Sequence, residues 1–105
     1  MTGKSRKQQI QDMLADEPND PFLRYGLAME YVSEGNDPEA WRTLQDLLAV
    51  SADYVPAYLQ AGQVLTRLGR ATEARDVLSR GVAVARAQGE QHAAEEMQGF
   101  LAGLA

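Results

Sequence analysis

Two stretches of the chain that lie 34 residues apart carry the same pattern of residues. Residues 27–44 read LAMEYVSEGNDPEAWRTL, and residues 61–78 read AGQVLTRLGRATEARDVL. The identical pairs are Gly35 and Gly69, Glu39 and Glu73, Ala40 and Ala74, and Leu44 and Leu78. A fixed period of this length indicates a repeat architecture, in which one supersecondary unit stacks on the next.

Each copy reads as two helices joined by a tight turn. Gly35 and Gly69 follow the first helix and suit the left-handed backbone conformation in which many helices end. In the first copy Asp37 is a candidate N-cap of the second helix and Pro38 follows it, whereas residues 71–73 begin the second helix of the other copy with a weaker cap. Because the turn is only about three residues long, the two helices must lie antiparallel.

Small residues occupy the middle of these helices, where large residues are usual. We expect Ala28 or Gly62 on the first helix to face Ala40 or Ala74 on the second, so that the two backbones approach closely. A glycine inside a helix costs roughly 1 kcal/mol relative to alanine. Close packing at the helix crossing must outweigh this cost.

This pattern resembles the tetratricopeptide repeat family, whose unit is a helix–turn–helix of 34 residues. The positions of the second copy that fit the family pattern are Tyr58, Ala61, Gly62, Leu65, Gly69, Ala74, Leu78 and Gly81. The first copy is looser, since Arg24 replaces an aromatic residue, Leu47 a small residue and Ala52 the closing proline. The resemblance implies an all-α fold, a right-handed superhelix of antiparallel helix pairs.

The repeat also divides the rest of the chain and predicts about six helices in a single domain. Residues 21–54 and 55–88 are the two full repeats, and the second helix of the latter should end at Gly89. Residues 5–17 are an N-terminal half-repeat helix, and residues 90–104 are a C-terminal capping helix. The equivalent of three repeats is about the minimum for a stable stack.

The N-terminal half repeat is found by running the 34-residue period backwards. Ile10, Met13 and Leu14 then fall on the buried stripe of a second helix. Ser5 and Gln8 have the spacing of a capping box, in which each side chain bonds the backbone of the other residue. We therefore expect this segment to form the second helix of a half repeat, with no first helix before it.

Composition limits the compartment and the class of partner. The chain has 105 residues, a length typical of a single domain. It has no cysteine, so disulfides and thiolate metal sites are excluded. It has no signal-type segment and no apolar run of the roughly 18 residues that a membrane span needs. We therefore expect a cytoplasmic location, for a whole protein or for a domain of a longer one, and no membrane contact.

No residue pattern indicates catalysis. The glycine-rich loops that bind phosphates or dinucleotides are absent. His92 is the only histidine, and it lies among Glu90, Glu95 and Glu96, which is too few nitrogen ligands for a zinc site. The sequence thus predicts no enzyme activity, no cofactor and no metal.

The family resemblance implies a binding surface, because the first helices of stacked repeats line a concave groove that holds a protein partner. The matching positions are Phe22, Tyr25, Gly26, Met29, Val32 and Ser33 in the first copy, and Pro56, Leu59, Gln60, Gln63, Thr66 and Arg67 in the second. The site predicted from them consists of Phe22, Tyr25, Met29, Val32, Leu59, Gln60, Gln63 and Arg67. Its apolar residues would bury a partner's side chain, and its glutamines would hydrogen-bond the partner's backbone.

One sub-family of these proteins holds the C-terminal carboxylate of heat-shock chaperones with lysine and asparagine. The matching positions here are Tyr25, Met29 and Gln60, together with a pair in the last helix. Depending on the register of that helix, the pair is Glu90 and Ala94 or His92 and Glu96. None of them supplies a cation. The resemblance therefore implies a protein or peptide partner held by apolar contact rather than by carboxylate capture.

Three other uses of the surface stay open. The groove residues could simply cover the inner surface or dock the terminal helices. The chain could self-associate, as a homodimer or a scaffold, through Trp41 or through the C-terminal helix, where Phe100, Leu101 and Leu104 offer apolar surface. The five arginines within residues 67–86 could contact nucleic acid, but the net charge of −5 opposes this and predicts no nucleic-acid partner.

Overall fold

Six α-helices follow one another along residues 3–104, the part of the chain that this computed structural model describes. They are α1 (Arg6–Asp16), α2 (Pro21–Ser33), α3 (Asp37–Val50), α4 (Val55–Arg67), α5 (Ala71–Ala87) and α6 (Gln91–Gly103). Each helix packs against the next one in the chain. Because the connections are short, consecutive helices run antiparallel. The all-α fold of six helices predicted from the repeat is confirmed.

The same turn ends three of the helices. Gly35, Gly69 and Gly89 have φ angles of 73°, 75° and 74°, which confirms the left-handed conformation expected at the first two. The amide that follows each glycine donates to a carbonyl of the last helical turn: Asn36 to Tyr31 (2.9 Å), Arg70 to Leu65 (2.9 Å) and Glu90 to Ala85 (2.8 Å). The hairpin geometry is therefore repeated along the chain.

The helix N-termini confirm one expected cap and correct another. The capping box of Ser5 and Gln8 is present at the start of α1. The prediction of Asp37 as the N-cap of α3 is wrong, because the side chain of Asn36 accepts the amide of Glu39 at 3.4 Å. Asp37 is instead the first residue of the helix, and its carboxylate is left free to contact α4.

One continuous apolar core runs from α2 to α6. Its largest fully buried side chains are Tyr58, Leu44, Leu47, Leu65, Leu78, Met97 and Val64. The hydroxyl of Tyr58 donates to the carbonyl of Ala52 at 2.6 Å, so this buried polar group is satisfied. Of α1, only Ile10 is buried. The core is thus centred on the second repeat, and α1 lies at its edge.

Two buried glycines mark the closest approaches between helices. A β-carbon placed on Gly62 of α4 would lie 2.5 Å from Cγ of Leu78 in α5. One placed on Gly81 of α5 would lie 2.5 Å from Cβ of Tyr58 and 2.6 Å from Sδ of Met97. From the sequence we expect Gly62 to face Ala74; in the structure, the atoms nearest to a β-carbon at Gly62 belong to Leu78, one turn further along α5. Large side chains thus fill the space that these glycines leave.

We expect Gly62→Ala and Gly81→Ala each to lower the free energy of unfolding by about 1–3 kcal/mol, because the added methyl group overpacks the core. This loss should occur although alanine gains roughly 1 kcal/mol of helix propensity. Gly99→Ala is the matched control, since Gly99 is also helical but has no described neighbour within 4 Å of a β-carbon. It should stabilise the protein. Urea unfolding measures all three, and a Gly62→Ala protein as stable as the wild type would contradict the close crossing.

Candidate functional site

The first helices of the repeats lie together on one side of the stack. α4 contacts α6 directly, whereas no comparable contact joins α1 to α3 or α3 to α5 within residues 3–104. At the C-terminal end of the stack, α4 and α6 therefore lie closer together than α3 and α5. We call the side formed by α2, α4 and α6 the concave face, since the first helices of stacked repeats line their concave groove, and the predicted groove residues belong to α2 and α4.

A first depression, which we call the N-terminal hollow, lies between α1 and α2 and has a volume of about 400 Å³. α2 contributes Phe22, Tyr25, Gly26 and Met29, among others, and α1 contributes Arg6, Gln9, Ile10 and Met13. The Phe22 side chain is 72% exposed, and Met13 is 48% exposed. Two large apolar side chains are therefore open to solvent at this hollow.

A second depression, the C-terminal hollow, lies between α4 and α6 and has a volume of about 410 Å³. Its lining residues are Gln63, Thr66 and Arg67 of α4, with Gly99, Phe100, Gly103 and Leu104 of α6. The two glycines of α6 keep the hollow open, because neither has a side chain to fill it. This hollow combines hydrogen-bonding side chains on one wall with apolar side chains on the other.

Tyr25 links α2 to the segment that precedes α4. Its ring packs against the ring of Tyr54, with centroids 5.4 Å apart and a tilt of 47°. Burial raises the pKa of Tyr25, with a smaller contribution from Tyr54, while a hydrogen bond with Gln60 acts in the opposite direction. The Tyr25 hydroxyl therefore stays protonated at neutral pH and can donate a hydrogen bond.

Arg67 is held in place by a residue of the neighbouring repeat. Its guanidinium donates to both carboxylate oxygens of Asp37, with Nε–Oδ2 and Nη2–Oδ1 distances of 3.0 Å. Hydrogen bonding to Asp37 raises the pKa of Arg67. Because the pair is partly exposed, it contributes little to stability, but it fixes the orientation of Arg67 at the edge of the C-terminal hollow.

The structure divides the predicted site between these surfaces. Phe22, Tyr25 and Met29 come together in the N-terminal hollow, and Gln63 and Arg67 in the C-terminal hollow. Val32, Leu59 and Gln60 line neither hollow; all three are partly buried. Sequence reasoning missed the contributions of α1 and α6, namely Arg6, Gln9, Ile10, Met13, Phe100 and Leu104. The stripe of apolar residues on α1 was the available signal, but it was interpreted as buried core.

Four of the five arginines between residues 67 and 86 already have partners within the chain. Arg67, Arg70 and Arg80 form ion pairs with Asp37, Glu73 and Asp76, respectively. Arg75 donates to the carbonyl of Leu104 at 3.0 Å. Three of these arginines are thus paired with a carboxylate, which favours a solvated helix surface over a nucleic-acid interface.

Residues 3–104 also lack two other structural features. They contain no group of three or more histidine, aspartate or glutamate side chains placed to hold a metal ion. None of their helices combines the length and the apolar character needed to cross a bilayer.

The stacked hairpins and the concave face define a helical-repeat domain, and solved structures of such domains are similar to this chain. A tetratricopeptide repeat domain protein from Salinibacter ruber, solved by NMR, is 34% identical over 83% of this chain and 88% of that one, with a TM-score of 0.78. A crystal structure of such a domain from the same organism is 34% identical over 81% and 96%, with a TM-score of 0.77. No protein-family model and no curated protein matches the chain.

A protein from Bordetella parapertussis, also solved in solution, extends the likeness over nearly the whole chain. It is 26% identical over 97% of this chain and 89% of that one, with a TM-score of 0.84. The extent and identity of the Salinibacter ruber matches establish the relationship. The chain belongs to the tetratricopeptide repeat family, as its 34-residue period predicted.

We expect Phe22→Ser to change the free energy of unfolding by no more than about 0.5 kcal/mol, because the ring is largely in solvent and packs on little. Tyr58→Ala is the contrasting variant, since Tyr58 is 1% exposed, and it should cost about 3–5 kcal/mol. Thermal unfolding in dilute solution compares the two. A loss of several kcal/mol for Phe22→Ser would mean that the ring supports the fold and is not available for contact.

Proposed function

We propose that this domain is a non-catalytic adaptor that binds a segment of a partner protein along its concave face. The residues that would make the contact are Phe22, Tyr25, Met29, Val32, Leu59, Gln60, Gln63 and Arg67. The observation that carries the proposal is the combination of an exposed aromatic ring at Phe22 with partly exposed amide side chains on α4. Pockets that bind ligands join apolar surface to a few polar groups in this way.

The two hollows would make different kinds of contact with a partner segment, because their linings differ. The N-terminal hollow offers Phe22, Tyr25 and Met29 to an apolar side chain. The C-terminal hollow offers Gln63 and the guanidinium of Arg67 to backbone carbonyls of the segment. A segment that spans both hollows would therefore carry an apolar residue at one end and hydrogen-bond acceptors at the other.

Membership of the tetratricopeptide repeat family supports a protein partner and a role without catalysis. Members of this family present helical repeats as extended concave binding surfaces. Among the residues that line the two hollows, none is a histidine and Glu30 is the one carboxylate, so these hollows hold no carboxylate pair for acid–base chemistry. We propose that no cofactor takes part.

Self-association through the C-terminal helix is the alternative function, and the surface of α6 supports it less. The side chain of Phe100 lines the C-terminal hollow on the concave face. The exposed residues elsewhere on α6 are mostly polar: Gln91, His92, Glu95, Glu96 and Gln98. A polar outer face is what a terminal helix needs to keep the end of a repeat stack in solution.

We expect peptides selected from a random library against the immobilised domain to bind the concave face. In NMR titrations they should shift the signals of Tyr25, Met29, Leu59 and Gln63, because these side chains would be desolvated. Signals of the outer helices α3 and α5 should change little. If every selected peptide shifted only α3 and α5 signals, the concave face would not be the binding surface.

A matched pair of variants separates a local contact from a change in the fold. Gln63→Ser removes an amide on the concave face, and Gln45→Ser removes one from the exposed surface of α3. We expect Gln63→Ser to weaken peptide binding roughly five- to tenfold, the effect of one or two lost hydrogen bonds, and Gln45→Ser to leave it unchanged. Equal effects of the two would contradict the proposed site.

A further inference from the structure

α1 has a neighbouring helix on one side only. By the 34-residue period, Ile10 and Met13 correspond to Leu44 and Leu47 of α3, which lies between α2 and α4. Leu44 and Leu47 are fully buried, whereas Met13 is 48% exposed. The position at which a complete repeat would place its first helix is therefore open at α1, within the residues described.

The N-terminal hollow is this open position. Its walls are α1 on one side and α2 on the other. If α1 is the second helix of a repeat, the first helix of that repeat would lie between these two walls. In both complete repeats the first helix runs antiparallel to the second, because a three-residue turn joins them. A helix that fills the hollow should thus run antiparallel to α1.

The order of charges along α1 fits such a helix when it is another α1. One stripe of the helix, at intervals of three or four residues, carries Arg6 at its start, Ile10 and Met13 in its middle, and Asp16 and Glu17 at its end. Two copies of this stripe placed antiparallel bring Arg6 opposite Asp16 at both ends and the apolar residues together. In a parallel arrangement Arg6 would face a second Arg6.

The Arg6 side chain is exposed enough to reach such a partner, although it also forms an ion pair with Glu30. It is 81% exposed, and its Nε lies 3.5 Å from Oε2 of Glu30 at the rim of the hollow. The equivalent residues of the complete repeats are Ala40 and Ala74, both fully buried at helix crossings. A charged residue at this position suits a partner helix that brings a carboxylate.

From this geometry we infer that two copies of the chain associate around a two-fold axis, each placing its α1 in the N-terminal hollow of the other. Such an interface is isologous, because the same surface serves both copies. It covers Met13 and Phe22 with apolar contacts and pairs Arg6 with Asp16 twice. Each copy then places a helix at the open position beside the other copy's α1.

This inference goes beyond the adaptor function. The second copy would occupy the N-terminal hollow and would therefore compete there with a partner segment for Phe22. Leu59, Gln63 and Arg67 would stay open to that segment. The two proposals therefore have separate readouts. Peptide binding followed at Gln63 can succeed if the dimer fails, and a dimer can form if no peptide binds.

Sedimentation equilibrium over a range of protein concentrations tests the association. We expect the wild-type chain to dimerise with increasing concentration and Met13→Glu to stay monomeric, since the exposed position tolerates the charge but the interface does not. Phe100→Glu is the matched control, because Phe100 is similarly exposed (42%) but lies at the other end of the stack; it should dimerise like the wild type. A monomeric wild type, or association abolished by Phe100→Glu and kept by Met13→Glu, would overturn the inference.

Charge reversals test the antiparallel order of the helices. Arg6→Glu and Asp16→Arg should each weaken the homodimer roughly tenfold, since like charges then meet at both ends. An equimolar mixture of the two variants should form a heterodimer at least as tight as the wild-type dimer, which also shows that both variants fold. A mixture that associates no better than the separate variants would contradict the antiparallel arrangement.

Discussion

The Leu78 side chain occupies the space beside Gly62 that any other residue at position 62 would need, and the rest of the structure depends on this contact. It brings α4 and α5 close enough for Tyr58 and Leu65 to be buried between helices. Gly81 then does the same for α5 and α6, with Tyr58 and Met97 as its neighbours. Protein interiors are packed as densely as organic crystals, so these steric matches fix how the helices stack and hence where the concave face lies.

The 34-residue period was sufficient to predict the helices, their pairing and the glycine turns, because each follows from local geometry. It could not predict that the Leu78 side chain lies nearest to Gly62, since the nearest partner at a crossing depends on how the two helices are shifted along each other. The N-cap of α3 was misplaced by one residue for a similar reason. Asn36 and Asp37 can both cap a helix. The backbone conformation of the turn before α3 determines which of the two becomes the N-cap.

The candidate site was harder to predict because it is shared between helices that are distant in sequence. Phe22 and Met29 follow from their place in the first repeat, but the walls opposite them come from α1. The apolar stripe of α1 predicts a buried helix, and only the structure shows that Met13 has no covering helix among the described residues. The two ends of the stack therefore differ: α6 exposes a mostly polar surface, whereas α1 exposes apolar side chains beside an open hollow. The proposed partner binding and the proposed self-association both depend on that difference.

Native-state hydrogen exchange, measured at low protein concentration, tests most directly whether the α4–α5 contact holds the stack together. Helices packed on both sides open only with global unfolding, and helices at an edge open locally. The amides of α4 and α5 should exchange slowest and at the rate set by global unfolding, while those of α1 exchange first. If α1 or α6 were the last to exchange, or if α4 and α5 opened separately from each other, the crossing at Gly62 and Leu78 would not be the contact on which the fold depends.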